Sequence, residues 1–480
     1  MAPRLPGRAH LEGAEGALLR RALALALALG TLTVAAGAGA RERAPAPDPR
    51  PNILVVLTDD QTLDTLPTEP PAMPWLQSQL QDPNGHWVWF PNAIASTPLC
   101  CPSRATILTG QFDTRTHVRD NGGGPSLDDT NTLPVWLHRA GYTTALVGKY
   151  LNFYPWGRAP FVPPGWDRWF AKENANESTS YYDYDVVDGG YVRHFGATSS
   201  AYATDVLAAA ADAFVSGAPT DRPWFLYFAP NAPHTPWIPA DRYRDASAGV
   251  SPPMPSLAQL NDVRGKPGYV TSRPPLTGAQ MEAFRQFDLR ERAMLRSVDD
   301  AIRSLVDAVA ARGELDRTVI VFLTDNGYEF GLHRLEGKRY PYEPSIGLPF
   351  AIRAPWSVAR TDPTLVANVD LASTISELAQ VRPELPQDGI SLVPALEGRP
   401  IAERPGVWLD WGGDEKVPAW SGVRTAAYTY VRNADGTEEL YRNADDPLQL
   451  RNLASDPRER AILDRLERLT DSLAVPEGGR

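Results

Sequence analysis

Two short apolar runs, far apart in the chain, share one pattern of hydrophobic and polar positions. Asn52–Thr58 and Thr318–Thr324 are each almost wholly aliphatic or aromatic between polar ends, which is typical of a β-strand buried on both faces of a parallel sheet. Two short oxygen-bearing side chains follow each run, and these are Asp59, Asp60, Asp325 and Asn326. Because ligands gather at the carboxyl ends of parallel strands, we expect these four side chains to lie together.

The rest of the pattern alternates between helix and strand, as in α/β domains. Short apolar runs after turn residues predict further strands at Thr143–Val147, Trp224–Phe228 and Phe350–Arg353. Apolar residues at helical spacing predict helices at Leu133–Ala140, Ala201–Val215 and Val369–Val381, and a long helix with its apolar face from Leu295 to Val309. The polar and aromatic stretch Asn174–Gly190 is interpreted as a loop on the substrate side.

From about Pro400 the pattern changes to short, Trp-rich alternating strands followed by a helix. We therefore divide the chain into a catalytic domain at 51–398 and a C-terminal subdomain at 399–480. The predicted fold class is α/β, with a large mixed and mostly parallel central sheet flanked by helices. A small C-terminal antiparallel sheet with one helix completes it.

Residues 1–40 have the composition of a signal peptide. Four arginines precede the apolar run Ala22–Leu29, and the small residues Ala35–Ala40 offer a cleavage site. Gly30 and Thr31 interrupt the run, which argues against a membrane anchor. Residues 41–50, rich in Pro, Ala and charge, are predicted to be a linker. The protein is thus expected to be secreted or on the exterior of the cell envelope, without membrane attachment, and the export route stays open.

Composition and charge narrow the possible partners. The chain has 480 residues, 43% of them hydrophobic, enough for a large core, and a formal net charge of -11. Removing residues 1–40 takes away four Arg and two Glu, so the charge becomes -13. An acidic protein of this kind is not a nucleic-acid binder. If its substrate is anionic, the positive charge must be concentrated in one pocket.

The two cysteines of the chain, Cys100 and Cys101, are adjacent. Neighbouring Cα atoms lie about 3.8 Å apart, whereas a disulfide needs about 4.4–6.8 Å, so they are a poor pair for each other. Pro102 suits the first turn of a helix and Gly110 its end. The cysteines then lie at a helix N-terminus, which favours an anion, and Arg104 adds a forked donor suited to tetrahedral oxyanions. This predicts a nucleophile in an oxyanion-binding cradle; the alternative is two buried thiols.

The pattern Cys-x-Pro-Ser-Arg-Ala followed by Thr-Gly, from Cys100 to Gly110, resembles the signature of type I sulfatases. In that family the first cysteine is oxidised by a dedicated enzyme to Cα-formylglycine, whose hydrate is the nucleophile. The resemblance implies that Cys100 is modified by a formylglycine-generating enzyme, while Cys101 fills a variable position. It extends from Pro51 to about Leu473 and implies an alkaline-phosphatase-like sandwich.

Four hard oxygen donors without His or Cys suit Ca²⁺ or Mg²⁺ better than zinc. Each acidic pair taken alone could instead be an Asx turn at a strand end. The resemblance adds a role for them, because sulfatases hold their divalent metal on residues that match these four. It implies a Ca²⁺ site, with Mg²⁺ as the other possibility, formed by Asp59, Asp60, Asp325, Asn326 and the modified Cys100.

The resemblance also assigns the remaining catalytic residues. Lys149 would bridge the sulfate and the nucleophile, and Lys338 would be a second sulfate-binding lysine. His234 lies between two prolines, which suits a positioned group, and would protonate the leaving alcohol. Arg104 would help the metal to hold the oxyanion of the nucleophile. Many sulfatases carry a histidine at the position of Leu151, so the base for sulfate release is left unassigned.

The predicted function is that of a secreted sulfatase acting on a sulfated amino sugar or glycosaminoglycan. The segment Gly148–Asn152 resembles that of N-acetylglucosamine-6-sulfatases and heparan-processing relatives. Three alternatives stay open: a broad arylsulfatase, a phosphonate or phosphate ester hydrolase of the same superfamily, and a non-catalytic carbohydrate-binding homologue. His333 and Arg334 are interpreted as either substrate contacts or plain loop.

Overall fold

The computed structural model describes residues 48–66, 69–173, 180–247 and 249–474. The predicted signal peptide and the linker up to residue 47 lie outside these residues, as does part of the predicted 174–190 loop. Within the described ranges, no helix is both long enough and apolar enough to cross a membrane.

The strands come from the whole length of the described chain. In chain order they are β1 (Asn52–Thr58), β2 (Trp87–Trp89), β3 (Ala93–Ile94), β4 (Thr143–Gly148), β5 (Arg168–Lys172), β6 (Tyr184–Asp188), β7 (Tyr191–Phe195), β8 (Trp224–Ala229), β9 (Thr318–Thr324), β10 (Glu329–Phe330), β11 (Glu336–Gly337), β12 (Gly347–Leu348), β13 (Phe350–Arg353), β14 (Arg360–Thr361), β15 (Val366–Ala367), β16 (Val407–Trp411), β17 (Trp420–Arg424), β18 (Tyr428–Asn433) and β19 (Glu438–Arg442).

The helices are distributed between these strands. They are α1 (Pro74–Gln81), α2 (Cys100–Thr109), α3 (Asp113–Thr116), α4 (Leu133–Arg139), α5 (Ala203–Gly217), α6 (Leu257–Leu260), α7 (Gly268–Thr271), α8 (Gly278–Ala311), α9 (Glu343–Ile346), α10 (Asp370–Leu378), α11 (Val393–Leu396) and α12 (Arg460–Leu473).

The central sheet has ten strands in the order β14-β2-β13-β9-β1-β8-β4-β5-β6-β7. Its middle, β9-β1-β8-β4-β5, is parallel throughout, while antiparallel pairs join β13 to β9 and β6 to both β5 and β7. The two runs that begin the sequence pattern, β1 and β9, pair along their full length in register from Asn52 and Thr318 to Thr58 and Thr324. The predicted mixed sheet is therefore confirmed.

Both faces of the central sheet are covered, which explains why β1 and β9 are apolar at almost every position. Ile53, Val55 and Leu57 of β1 pack into one core with residues of α2, α4 and α10. Leu54 and Val56 pack into the other core, with α1, α5 and α8. All five are fully buried, and burying one such side chain contributes about 1.5–3 kcal/mol. Because β1 and β9 are buried on both faces, their first acidic side chains are those that follow the strand ends at the carboxyl edge of the sheet.

Two glycines allow close approaches near the ends of α2 and β4. Helix α2 ends at Gly110, which has φ +70° and on which a Cβ would lie 2.0 Å from Oε1 of Gln387. Strand β4 ends at Gly148, with φ +122°, where a Cβ would lie 2.0 Å from the carbonyl oxygen of Ala229 in β8. The positive φ values and these close approaches disfavour a side chain at both positions.

The C-terminal strands form a separate antiparallel sheet, β16-β17-β18-β19, with α12 packed on it. This confirms the small sheet with a helix; the domain boundary at residue 398 stays a prediction. One interpretation is wrong. The segment Tyr184–Asp188 is strand β6, which turns through Gly189 and Gly190 into β7, so this part of the supposed loop belongs to the central sheet.

Candidate active site

The carboxyl ends of the central parallel strands hold the predicted site residues. Asp59 and Asp60 follow β1, and Asp325 and Asn326 follow β9. Three further positions come from nearby elements, namely Lys149 directly after β4, His234 in the segment after β8, and Lys338 directly after β11, while Cys100 and Arg104 belong to α2. The backbone N–H of Asp60 donates to Oδ1 of Asp325 at 3.1 Å, so the two strand ends touch as expected.

Cys100 is the first residue of α2 and faces this cluster of charges. Its Sγ lies 3.5 Å from Oδ1 of Asp59 and 3.8 Å from Oδ1 of Asp60, and Nζ of Lys338 donates to it at 2.7 Å. Burial raises the pKa of the Cys100 thiol far above its usual value, although Lys149 and Lys338 oppose the rise. The unmodified side chain is therefore a protonated thiol and a poor nucleophile at neutral pH.

Cys101 has a different environment from its neighbour. Its side chain packs in the hydrophobic core with residues such as Ala105 and Leu108, and its backbone N–H donates to Oδ1 of Asn121 at 3.1 Å. Both cysteines are free thiols, as their adjacency predicts. Burial raises the pKa of Cys101 to about 12. Of the two cysteines, Cys100 is thus the one that the helix turns toward the charged groups.

Lys149 and Lys338 bring two buried ammonium groups to the carboxylates. Nζ of Lys149 lies 2.7 and 3.0 Å from the two oxygens of Asp59, and Nζ of Lys338 lies 2.5 Å from Oδ1 of Asp60. Burial alone would lower the pKa of Lys338, but the neighbouring acids, Asp60 above all, raise it well above its usual value. Lys149 follows the same rule, with Asp59 as its main partner. Both lysines therefore stay charged although they are buried.

Arg104 lies beneath the cluster, one turn into α2, and is fully buried. Its Nε donates to Oδ2 of Asp325 at 2.7 Å and its NH1 group donates to the carbonyl of Lys149 at 3.0 Å. Burial raises the pKa of Asp325 to about 6 in spite of this arginine. For Asp59 burial also acts upward, but Lys149 and the other nearby cations hold its pKa well below the usual value. Arg104 thus orients an acidic residue of the predicted metal site.

The oxygen atoms of the cluster suit a hard cation. Potential ligand atoms of Asp59, Asp60, Cys100 and His234 all lie within 4.8 Å of one another. Oδ2 of Asp60 and Oδ1 of Asn326 are buried without a hydrogen-bond partner in the described part of the chain, while Nδ2 of Asn326 donates to Oδ1 of Asp60 at 2.7 Å. Rotating this amide would turn its oxygen toward Asp60, an arrangement that a cation between them would favour. The residues present therefore fit a divalent metal.

His234 closes the cluster on the side of β8. Its Nδ1 lies 2.5 Å from the carbonyl oxygen of Thr235, and its Nε2 lies 3.5 Å from Oδ2 of Asp60. A carbonyl beside Nδ1 requires the proton on that nitrogen, so Nε2 faces the site. Burial lowers the pKa of His234, against the opposing charges of Asp60 and Asp59. The ring is therefore neutral at pH 7 and must gain a proton before it can act as an acid.

Tyr181 positions the backbone of His234 and was missed as a functional residue, because the sequence places it in an apparent loop. Its hydroxyl lies 2.6 Å from the carbonyl oxygen of His234 and 3.1 Å from that of Asn231, and its ring stacks on Tyr202. Tyr181 and Tyr184 are 1% and 6% exposed, so neither ring offers a face to a sugar. This corrects the interpretation of the stretch as a substrate-side surface for Tyr181 and Tyr184, whereas Tyr182 is partly exposed.

We expect Tyr181→Phe to lower kcat roughly 10-fold, since small displacements of a catalytic group carry large rate penalties. Loss of one buried hydrogen bond should cost about 1–3 kcal/mol of stability. Initial rates with p-nitrophenyl sulfate and a thermal melt measure the two effects. The matched control is Tyr142→Phe, which removes a buried hydroxyl that donates to the carbonyl of Pro51, far from His234. Equal kcat values in the two variants would contradict the positioning role.

Three other residues considered in the sequence analysis pack in the core or bind the backbone of loops. Leu151, where many sulfatases have a histidine, is 1% exposed and packs in the core. His333 is fully buried against Tyr342, and Arg334 donates to the carbonyls of two loop residues. Within the described residues, His234 is accordingly the one histidine of the cluster.

Two protein-family models match most of the chain. Residues 51–381 match the family model described as Sulfatase. Residues 331–475 match the model described as N-sulphoglucosamine sulphohydrolase, C-terminal. An N-acetylglucosamine-6-sulfatase of Bos taurus is 34% identical over 325 residues, which cover 64% of this chain. The match spans only 58% of the length of that relative.

Two solved structures share the fold. One is BT4656 in complex with its substrate D-glucosamine-2-N,6-O-disulfate, with a TM-score of 0.77 and 24% identity, covering 90% of this chain and 100% of the other. The second is a phosphonate monoester hydrolase of Agrobacterium radiobacter, with a TM-score of 0.70 and 21% identity, covering 88% and 95%. The predicted alkaline-phosphatase-like fold is thereby confirmed.

Proposed function

The chain belongs to the sulfatase family, and we propose that it hydrolyses the sulfate ester of a sulfated amino sugar or glycosaminoglycan end. One observation carries this proposal. Cys100, at the N-terminus of α2, lies in contact with Lys338 and close to two strand-end carboxylates, so that nucleophile, cations and acids converge at a single buried point.

We further propose that Cys100 is converted to formylglycine, whose hydrated aldehyde supplies a nucleophilic hydroxyl in place of the thiol. Two observations support this position: Sγ of Cys100 lies among Lys338, Asp59 and Asp60, and Cys101 packs in the core. Cys100 is 0% exposed. A formylglycine-generating enzyme would therefore have to reach it before the chain folds.

The metal in this proposal is Ca²⁺, with Mg²⁺ as the alternative, held by Asp59, Asp60, Asp325 and Asn326. When bound, such a cation supplies positive charge that polarises the oxygens around the nucleophile. Support comes from the buried Asp60 and Asn326 oxygens that accept no hydrogen bond from any described residue and from the all-oxygen character of the four donors.

The protein's own cations would bind and polarise the sulfate group. The ammonium groups of Lys149 and Lys338 would donate to sulfate oxygens, because both are fixed by carboxylates and both stay charged. Charge that builds on these oxygens during transfer would be stabilised by donors that are already in place. Arg104 would act indirectly, by holding Asp325.

His234 would deliver the proton to the departing alcohol. Its Nε2 faces the cluster, while Nδ1 stays bound to the carbonyl of Thr235. A sulfate ester brings negative charge beside the ring, which favours the protonated form. The ring could then donate from Nε2 to the ester oxygen as the bond to sulfur breaks.

An aromatic group beside His234 supports a carbohydrate substrate. Trp237 stacks on Phe287 at 4.5 Å between ring centroids and lies 5.6 Å from both Tyr328 and Phe330. Trp237 and Phe330 are partly exposed. Rings of this kind can pack against the apolar face of a sugar, so they take the role that the buried tyrosines of the 181–184 stretch cannot fill.

We expect kcat/KM for N-acetylglucosamine-6-sulfate to exceed that for p-nitrophenyl sulfate by about 10-fold or more, as one additional well-packed contact of a sugar can give. The full chain, co-expressed with a formylglycine-generating enzyme, is assayed with both esters and with a phenylphosphonate monoester. Preference for the phosphonate would replace the proposal by the phosphonate hydrolase alternative, and preference for the aryl sulfate would indicate a broad arylsulfatase. Binding of the sugar without turnover of any ester would indicate a carbohydrate-binding homologue.

Export also belongs to this proposal. The composition of residues 1–40 supports a signal peptide, and a secreted enzyme would meet extracellular sulfated glycans. Mass spectrometry of the N-terminus of the exported protein tests whether the signal peptide is removed.

A further inference from the structure

Lysine is rare in this chain, and its few positions are unusual. The sequence has 42 arginines but only five lysines. Four of the five lysines are less than one-tenth exposed, namely Lys149, Lys172, Lys266 and Lys338. Lysine is among the residues least often buried without a partner, so each buried lysine needs a physical explanation.

For three of the buried lysines, hydrogen bonds explain the burial. Lys149 and Lys338 bind carboxylates of the active site. Lys266 donates to the hydroxyl of Tyr441 at 2.7 Å and to the carbonyl of Gln449 at 2.8 Å. Lys172 differs from all of them. At 2% exposure, its ammonium group has no hydrogen bond or ion pair with any residue in the described parts of the chain, and Nζ lies 5.2 Å from the centroid of the Tyr184 ring.

The position of Lys172 relates it to the active site. It is the last residue of β5, and β5 is the parallel neighbour of β4. Gly148 pairs with Ala171 in this register, so the next residues on the two strands are Lys149 and Lys172. Adjacent strands are about 4.8 Å apart, which places the two lysine backbones side by side at the carboxyl edge.

Lys172 thereby extends the row of charged groups along that edge. The five parallel strands lie in the order β9, β1, β8, β4 and β5. An ionisable residue ends or follows each of them, in the same order Asp325, the Asp59–Asp60 pair, His234, Lys149 and Lys172. The first four contribute to the cluster around Cys100. The fifth lies beyond Lys149, on the side away from the acidic residues.

A buried ammonium group without an anion is destabilising, and the ring of Tyr184 offsets only part of this cost. Burial is the main cause that lowers the pKa of Lys172 to about 8; the charge of Lys149 also lowers it, and the charge of Asp59 acts in the opposite direction. An anion brought beside Lys172 would relieve both effects. A simple structural role would be met as well by an apolar side chain, which would pack on Tyr184 without the desolvation cost.

We propose that Lys172 forms an anion-binding subsite next to the sulfate pocket, which holds a second anionic group of the substrate. This inference rests on the proposed function, because it places the scissile sulfate on Lys149 and Lys338. The second group is a sulfate or a carboxylate, carried either by the same sugar or by its neighbour. The preferred substrates are accordingly doubly anionic, and the enzyme selects them through the lysine at the end of β5.

Binding measured without turnover tests the subsite. The Cys100→Ala protein is titrated by calorimetry with N-acetylglucosamine-6-sulfate, with glucosamine-2-N,6-O-disulfate, and with a uronate-containing disaccharide that bears the same 6-sulfate. We expect one of the two doubly anionic ligands to bind roughly 10- to 100-fold more tightly than the monosulfate, as one charge-assisted hydrogen bond provides. The tighter ligand identifies the second group as sulfate or carboxylate.

Adding Lys172→Met should remove this preference while leaving the monosulfate Kd within about twofold, since the charge-assisted bond is all that is lost. Lys172→Arg should keep the preference. The matched control is Arg193→Met on β7, which removes an exposed cation 5.5 Å above the ring of Phe195 but lies outside the site.

No preference in the parent protein, weak binding of all three ligands, or an unchanged preference in Lys172→Met would each overturn the subsite. If Lys172→Met does not fold, loss of the preference in Lys172→Arg would also overturn it, because the charge is retained there. Failure of the proposed function is recognised separately, as absence of ester cleavage by the modified wild-type enzyme, since the Kd ratio does not depend on turnover.

Discussion

Replacing Cys100 by alanine is expected to reduce sulfate ester hydrolysis to background, a loss of at least about 10⁴-fold, as removal of a nucleophile does in other hydrolases. Alanine lacks the thiol whose oxidation yields the aldehyde. It also leaves Lys338 and the two strand-end carboxylates without the group on which they converge. Initial rates with p-nitrophenyl sulfate measure the loss.

Cys101→Ala provides the matched control, one residue away in the same helix. Its side chain packs in the core, so the change should lower stability modestly and leave kcat within a few-fold. Peptide mass spectrometry of the active protein should find the aldehyde at position 100. An active Cys100→Ala protein, or an aldehyde at position 101, would contradict the assignment.

Asp60→Asn is expected to remove the bound metal and to lower kcat at least about 10³-fold, because several kcal/mol of charge stabilisation are lost with a catalytic cation. Asp60 contacts Lys338 and Asn326 and lies 3.5 Å from His234. Among the described residues, its Oδ2 accepts no hydrogen bond. The variant keeps the shape of the side chain but halves the oxygen donors and removes the charge.

Metal content by inductively coupled plasma mass spectrometry, together with turnover before and after chelation and after return of Ca²⁺ or Mg²⁺, measures the effect. Asp64→Asn is the control: this nearby carboxylate pairs with Arg292 and does not face Cys100. Unchanged metal content in Asp60→Asn would rule out the proposed site. A metal lost equally in both variants would indicate a general loss of structure.

Much of the fold could be predicted because burial on both faces leaves a local signature. A strand covered by helices on either side must be apolar at nearly every position, so β1 and β9 appear directly as runs. The helix from Cys100 could be predicted in the same way, since proline and glycine act on the backbone of their own neighbourhood. These are short-range effects, which a single chain displays without an alignment.

Strands β6 and β7 were missed because their pattern is mixed. Val186 and Val187 are buried next to each other, while every residue of β7 except Phe195 is exposed. No simple alternation results, and the tyrosines before and within β6 are equally typical of a loop. Whether such a tyrosine is exposed to a substrate or packs against the segment that carries His234 depends on its position relative to the sheet, which the local sequence does not show.

The sequence by itself determined the type of each strand-end residue, the position of the nucleophile candidate and the excess of acidic charge outside the site. Those properties are carried by residues close together in the chain, or by composition. Only the tertiary structure decided which side chains meet. It turned Cys100 rather than Cys101 toward Lys338, buried Leu151 in the core, and set Lys172 beside Lys149. The place of Lys172 depends on the register between β4 and β5, because a shift of one residue would turn its side chain to the opposite face of the sheet. The other contacts depend on how a helix and a loop pack against strands far away in the chain, which no local pattern encodes.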